Sequence, residues 1–163
     1  MEFRRYQNDN IAIVKQLFVK TFTDSEGKDE GILIGTLVND FLTNSTNKNL
    51  NVFIALDNEK IIGCIIFSKL RFEESNTSAF LLSPVAVHTD YQGKGIGQKL
   101  IDFGHSELKQ NNVQLVFTYG DINFYSIRTI KAFVKIGLLK AGLIITLPLM
   151  FQDLKLLFSR SFF

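Results

Sequence analysis

A single cysteine, two histidines, two prolines and no tryptophan stand in a chain of 163 residues. One cysteine excludes a disulfide framework, and Cys64, inside the apolar run IIGCIIF, reads as a small buried core residue in a reducing compartment. His88 and His105 have no partner pattern for a metal site or a nucleophile relay, so no metal is expected. The uncharged run AGLIITLPLMFQ (141–152) has 12 residues and contains Pro148. A membrane-spanning helix needs ~20 apolar residues, so this run reads as core and no membrane association is expected. The opening MEFRRYQNDN lacks the apolar stretch of a signal peptide, and the expected location is the cytoplasm. Lysines and arginines are scattered among aliphatics without an Arg-rich face, which argues against nucleic acid as a partner.

What is present describes a globular chain: 46% of residues are hydrophobic and 21% charged. Its length suits a single domain over residues 1–163 with a core of its own. The net charge of +2 is unevenly spread. Residues 1–122 carry 12 Lys/Arg against 15 Asp/Glu, net −3, whereas residues 123–163 carry 6 against one, net +5.

Hydrophobic periodicity gives an α/β order. EFRRY (2–6) reads as a strand. Residues 8–22 place Ile11, Val14, Leu17, Phe18 and Phe22 at helical spacing behind an Asn/Asp cap. After a polar turn, TDSEGKDEG, a second helix is carried by Ile32, Leu33, Leu37, Val38, Phe41 and Leu42. VFIAL and IIGCIIFSKLRF, joined by the four-residue connection DNEK, form a β-hairpin. AFLLSPVAVH (79–88) is another strand, in which Pro84 implies a bulge or a break because proline cannot donate to the ladder. A helix from about Gly97 to Lys109, with Leu100, Ile101, Phe103, Gly104 and Leu108 inward, leads to the strand VQLVFTY (113–119). The expected architecture is βααβββαβ, one mixed central sheet flanked by helices.

Between the last strand–helix pair lies PVAVHTDYQGKGIGQKL (84–100), with glycines at 93, 95 and 97. Glycine is costly at a helix start unless φ must be positive or something must approach the backbone closely. The free N–H groups of a helix's first turn, together with its dipole, make an anion site. Residues Gly93 to Gln98 therefore suit a diphosphate, with Lys94 adding charge at the rim. Two nucleotide-binding alternatives fail on residue identity. The Walker pattern Gly-x-x-x-x-Gly-Lys-Ser/Thr is absent, and the dinucleotide pattern Gly-x-Gly-x-x-Gly meets Gln98 where its third glycine belongs.

The segment VAVHTDYQGKGIGQKLI is similar to the acyl-CoA-binding segment of the GNAT N-acetyltransferases, whose Gln/Arg-x-x-Gly-x-Gly/Ala pattern appears as Gln92-Gly93-Lys94-Gly95-Ile96-Gly97. VFTYGDINFYS (116–126) resembles the Gly-Asp-x-x-Tyr/Phe-Tyr segment of the YhbS-like subgroup. The resemblance covers roughly residues 1–126 and implies the GNAT acyltransferase fold, with a splayed strand at the coenzyme site. It implies transfer of an acetyl group from acetyl-CoA to a primary amine by direct attack. It places coenzyme contacts on Val85, Ala86 and Val87 through their backbone, on Gln92 to Gln98, and on Asn123. One strand N–H would polarise the thioester carbonyl. Tyr125 takes the position of the tyrosine that protonates the departing thiolate, whose pKa is near ~8.5 against ~10 for the attacking amine. For the general base, Glu73, Glu74, Asp121 and a water chain stand open. His88 follows the strand where the family often has Val-x-Pro, with Thr89 here in place of proline.

The acceptor that the resemblance implies is a small-molecule or peptide amine. The acidic turn Asp24, Glu26, Asp29 and Glu30 reads first as a solvated loop and second as a hint of a cationic amine, and aminoglycoside, polyamine, small amine and protein N-terminus all stay open. From about residue 127 the chain departs from the family pattern, with Gly137-Leu138 standing where Gly-Phe is usual and Val134 where a tyrosine is usual. The expectation is a divergent tail, or one from an altered reading frame, with the family's acceptor wall lost. The alternative function is a degenerate module that binds acyl-CoA, or forms a homodimer through its apolar tail, without turnover.

Overall fold

A computed structural model describes residues 1–7, 10–45, 48–72, 75–118 and 135–138. In chain order they form β1 (Glu2–Arg5), α1 (Ile11–Glu26), α2 (Lys28–Asn44), β2 (Leu50–Asp57), β3 (Lys60–Phe72), β4 (Ser75–Val87), a 3-10 turn (Thr89–Tyr91), α3 (Ile96–Gln110), β5 (Leu115–Thr118) and β6 (Lys135–Leu138). The first eight regular elements follow the order expected from the sequence. β6, in the divergent tail, was not expected from it.

Asn10 starts α1 by accepting the Ile13 N–H on its side chain at 3.3 Å. Val14, Leu17, Phe18 and Thr21 form the buried stripe of α1, and Ile34, Val38, Phe41 and Leu42 that of α2. The expected polar turn between these helices shrinks to one residue. Gly27, at φ +103°, is both the end of α1 and the cap of α2. The polar residues on either side can stay helical because one left-turning glycine suffices to break the ladder.

The six strands are ordered β1-β2-β3-β4-β5-β6. β1 to β4 run antiparallel in sequence, and β4, β5 and β6 pair in parallel. The expected mixed sheet is the observed one. The β2–β3 connection is tighter than expected: Asp57 and Lys60 already pair, leaving Asn58 and Glu59, both at positive φ, as a two-residue turn. Pro84 does mark a bulge, since the β3–β4 register slips between Ile65/Val85 and Phe67/Leu82.

Strand alternation divides the core into two layers. Val52, Ile54, Cys64, Ile66 and Leu81 face α1 and α2, whereas Phe53, Ile65, Phe67, Phe80, Leu82 and Val116 face α3. Cys64 is fully buried among aliphatics, and burial pushes its thiol above the ordinary range. That fits the packing role read from the sequence. Among the described residues, no helix is long and apolar enough to cross a membrane.

Candidate active site

Among the described residues, β4 extends past its parallel neighbour. β5 pairs with Ala79 to Leu82 and ends, among the described residues, at Thr118. Residues 83–87 therefore continue past it with no described strand on that side. The direction of their backbone groups follows from one hydrogen bond: the His88 N–H donates to the Ile62 carbonyl at 2.8 Å. In an antiparallel pair, successive residues turn their N–H and C=O to opposite edges. Val85, through its N–H and C=O, and Val87, through its N–H, consequently face away from β3, toward the gap that the described residues leave there. Ala86 was expected to share that task, but its groups turn to Cys64 on β3 instead. Only alternate residues of a strand can face one edge.

The chain leaves β4 through a short turn that folds back on itself. Tyr91 N–H donates to the His88 carbonyl at 2.8 Å, and Gln92 N–H to the Thr89 carbonyl at 3.2 Å. The Gln92 side chain reaches back to the strand, its Nε2 donating to the Val87 carbonyl at 3.0 Å. Gln92, expected at the coenzyme, thus ties the glycine turn to the end of β4. The Lys94 ammonium donates to the Asp90 carbonyl at 3.0 Å and lies 5.0 Å from the centre of the Tyr91 ring, which keeps its charge on the rim of the turn.

Gly93 has φ +74° and Gly95 φ +71°, ψ 13°, a left-handed backbone that L side chains seldom adopt. Gly95 caps α3 without any side-chain hydrogen bond, and the first helical bond runs from Lys99 N–H to the Gly95 carbonyl at 3.1 Å. The N–H groups of Gly93, Lys94, Gly95, Ile96, Gly97 and Gln98 are left without a protein acceptor among the described residues. They gather at the positive end of a 15-residue helix, the arrangement a diphosphate would satisfy. The Ile96 side chain is buried in the α3 layer, so that residue serves the turn through its backbone alone.

Other residues singled out in the sequence are placed differently. Asp29 and Glu30 lie in the first turn of α2, where the helix dipole favours them, and Asp24 and Glu26 at the end of α1, so the acidic turn is divided between two helices. His105 lies mid-α3 against Phe67, with ring centroids 5.9 Å apart, and its Nε2 has no partner among the described residues. Burial, offset in part by Asp102, lowers its pKa to about 4. Among the described residues no three of His, Cys, Asp or Glu come together as a metal site would require. Glu73, Glu74, Asp121, Asn123 and Tyr125 lie outside the described residues. Sequence reasoning missed Thr21 and the contact of Asp24 with Thr89, 65 residues apart, for which the only local signal is threonine where proline is usual.

Residues 48–127 match the family described as acetyltransferase (GNAT) domain. A stretch of 68 residues, 40% of this chain, is 35% identical to the uncharacterized N-acetyltransferase YjhQ of Escherichia coli K12 and spans 38% of that protein. Among solved structures, a GNAT family acetyltransferase of Brucella melitensis in complex with acetyl-CoA superposes with a TM-score of 0.69 at 24% identity, over 80% of this chain and 82% of that one. The GNAT family N-acetyltransferase YhbS of Escherichia coli, in complex with CoA, gives 0.66 at 23% identity over 77% and 66%. At these identities the two structures speak for a shared fold.

Proposed function

We propose that this chain is a GNAT N-acetyltransferase, a reading supported by the family match over residues 48–127, and that it transfers the acetyl group of acetyl-CoA to a primary amine. One observation carries the reading: gap-facing backbone at Val85 and Val87 leads within a few residues to six amide N–H groups without acceptors at the start of α3. The first part offers an extended amide-containing arm the partners a β-strand would give it. The second offers a diphosphate a cradle of N–H groups. Acetyl-CoA brings both in one molecule, together with the thioester that is cleaved.

The chain's residues then divide the work. Gly93 to Gln98 hold the diphosphate by backbone, Lys94 adds charge at the rim, and Asn123 contributes a further coenzyme contact by family resemblance. Val85 and Val87 align the pantetheine arm in the gap, and the Val87 N–H is directed at the thioester oxygen, where negative charge grows as the amine nitrogen attacks. As the carbon–sulfur bond breaks, the Tyr125 hydroxyl gives its proton to the sulfur. The proton lost by the amine goes to one of Glu73, Glu74 and Asp121, or to water. Support for Tyr125 and Asn123 comes from the motif alone.

The test is release of free thiol from acetyl-CoA across a panel of amines, for the wild type and Tyr125→Phe. At least one amine should accelerate release in the wild type. The variant removes one proton donor and little volume, so acetyl-CoA binding should hold while kcat falls by about 10²-fold, the lower end for general acid catalysis. Equal kcat values, with chemistry rate-limiting, would remove the proton-donor role from Tyr125. No amine-dependent release at all would overturn the activity.

A further inference from the structure

The turn after β4 holds a contact that the transfer chemistry above does not use. Thr89 donates its hydroxyl to Asp24 Oδ2 at 2.5 Å, joining that turn to the last part of α1. An anion at the C-terminal end of a helix faces the negative pole of the dipole, and the last turn of α1 carries no basic residue. Asp24 is kept ionised there by Lys20, whose ammonium lies 2.7 Å from the same oxygen, and by the Thr89 hydroxyl; both hydrogen bonds lower its pKa. A short bond from a hydroxyl to a carboxylate is of the charge-assisted kind, and it fixes geometry better than a neutral one.

Three residues earlier on α1, the buried Thr21 hydroxyl points at the Val87 carbonyl at 3.4 Å, a long contact. Gln92 closes on the same oxygen from the other side at 3.0 Å. The segment from Val87 to Thr89 is thus held from α1 at two points and from the glycine turn at a third. Val87 is also the residue whose N–H faces the gap.

We propose that Asp24 and Thr89 are positioning residues for acetyl transfer: their hydrogen bond fastens the open end of β4 to α1 and so sets the direction of the Val87 N–H toward the thioester carbonyl. The inference rests on the acetyl-CoA reading of the site. Neither side chain needs to touch the reacting atoms. Its consequence is that a defect 65 residues away in sequence acts on the polarisation of the bound carbonyl, while the diphosphate cradle is untouched.

The experiment is isotope-edited infrared spectroscopy of acetyl-CoA labelled with carbon-13 at the acetyl carbonyl, bound to the full chain, together with its Kd and kcat. In the wild type the bound carbonyl band should lie below its position in free acetyl-CoA. In Thr89→Val the band should move back toward the free position and kcat should fall about tenfold, the order expected of a displacement well under an ångström. The Kd should stay within about twofold, because the cradle carries the binding. Thr89→Ser, which keeps the hydroxyl, should restore both band and kcat. Asp24→Ala should reproduce Thr89→Val, and the double variant should add little, since both remove one contact. Thr89 and Asp24 are exposed, so these variants should fold. A Thr89→Val protein that binds acetyl-CoA with the wild-type band overturns the proposal, as does one that loses affinity with the band unmoved. A wild type that binds acetyl-CoA yet acetylates no amine refutes the proposed reaction, and the band comparison still decides the clamp. A wild type that binds no acetyl-CoA overturns both.

Discussion

Gly95 combines two demands that no other residue type meets together. Its φ of +71° is one that a β-branched side chain adopts only under strain, and a Cβ built there would lie 3.4 Å from Gln98 Oε1, beside the free N–H groups of α3. Gly95→Val should therefore cost about 1–3 kcal/mol of backbone strain and obstruct the diphosphate as well. The expected outcome is a folded protein with a lowered Tm that acetyl-CoA no longer raises. A Tm shift with acetyl-CoA equal to the wild type's would show that the cradle does not need this residue bare. This position was legible in the sequence because alternate glycines before a helix are costly unless the backbone must turn left-handed or stay bare for a ligand. Gln92 was not, since its carboxamide bonds back to Val87, and a motif prints a residue type without the direction of its side chain.

α3 shows what periodicity reveals of an element and what it leaves out. Of the expected inward residues, Leu100, Ile101, Gly104 and Leu108 are buried and Phe103 is half-buried, and the helix bounds, Ile96–Gln110, lie within a residue of the expected ones. On the same helix the half-buried His105 is drawn against Phe67, its Nε2 unpartnered among the described residues, a placement that spacing alone could not give. Its pKa of about 4 in the fold lies below the ordinary value of 6.5. The unfolded chain therefore takes up the proton first as pH falls, and stability drops between about pH 6.5 and 4, with no contribution from this residue above that window. The upper bound is about 3 kcal/mol, at 1.36 kcal/mol per pH unit over the window. Urea unfolding at pH 7, 5.5 and 4.5 should show the wild type losing stability faster than His105→Gln. Parallel pH profiles for the two proteins would mean that His105 is charged at no cost in the fold. The break between α1 and α2 was missed for a related reason. Acidic and polar residues on both sides of Gly27 read as a loop, but they are tolerated on exposed helical faces, so polarity without apolar residues cannot distinguish the two.

Across the molecule, the fold was legible where local pattern and global pairing agree: strands with alternating faces and amphipathic helices point to one arrangement, and of the bulge or break that Pro84 implied the ladder takes the bulge. The candidate site's backbone was legible at the glycine turn, where Gly93 and Gly95 take positive φ, and only partly in its strand, where one hydrogen bond, from His88 to Ile62, decides that Val85 and Val87 turn away from β3 and Ala86 does not. Tyr125, Asn123 and the candidate bases fall outside the described residues, so their places rest on sequence resemblance. The tail, with net charge +5 over residues 123–163, departs from the family pattern, and of it the structure adds β6, paired in parallel with β5. In the proposed reading these parts are joined by one coenzyme, lying from the gap beside β4 to the cradle at α3. Thermal unfolding with and without acetyl-CoA tests that most directly. At 100 times its Kd the coenzyme should stabilise the folded chain by roughly 2.7 kcal/mol, which for a chain of this size is a rise in Tm of about 5–11 °C. A Tm unchanged up to millimolar acetyl-CoA, in protein shown to be folded, would contradict the account.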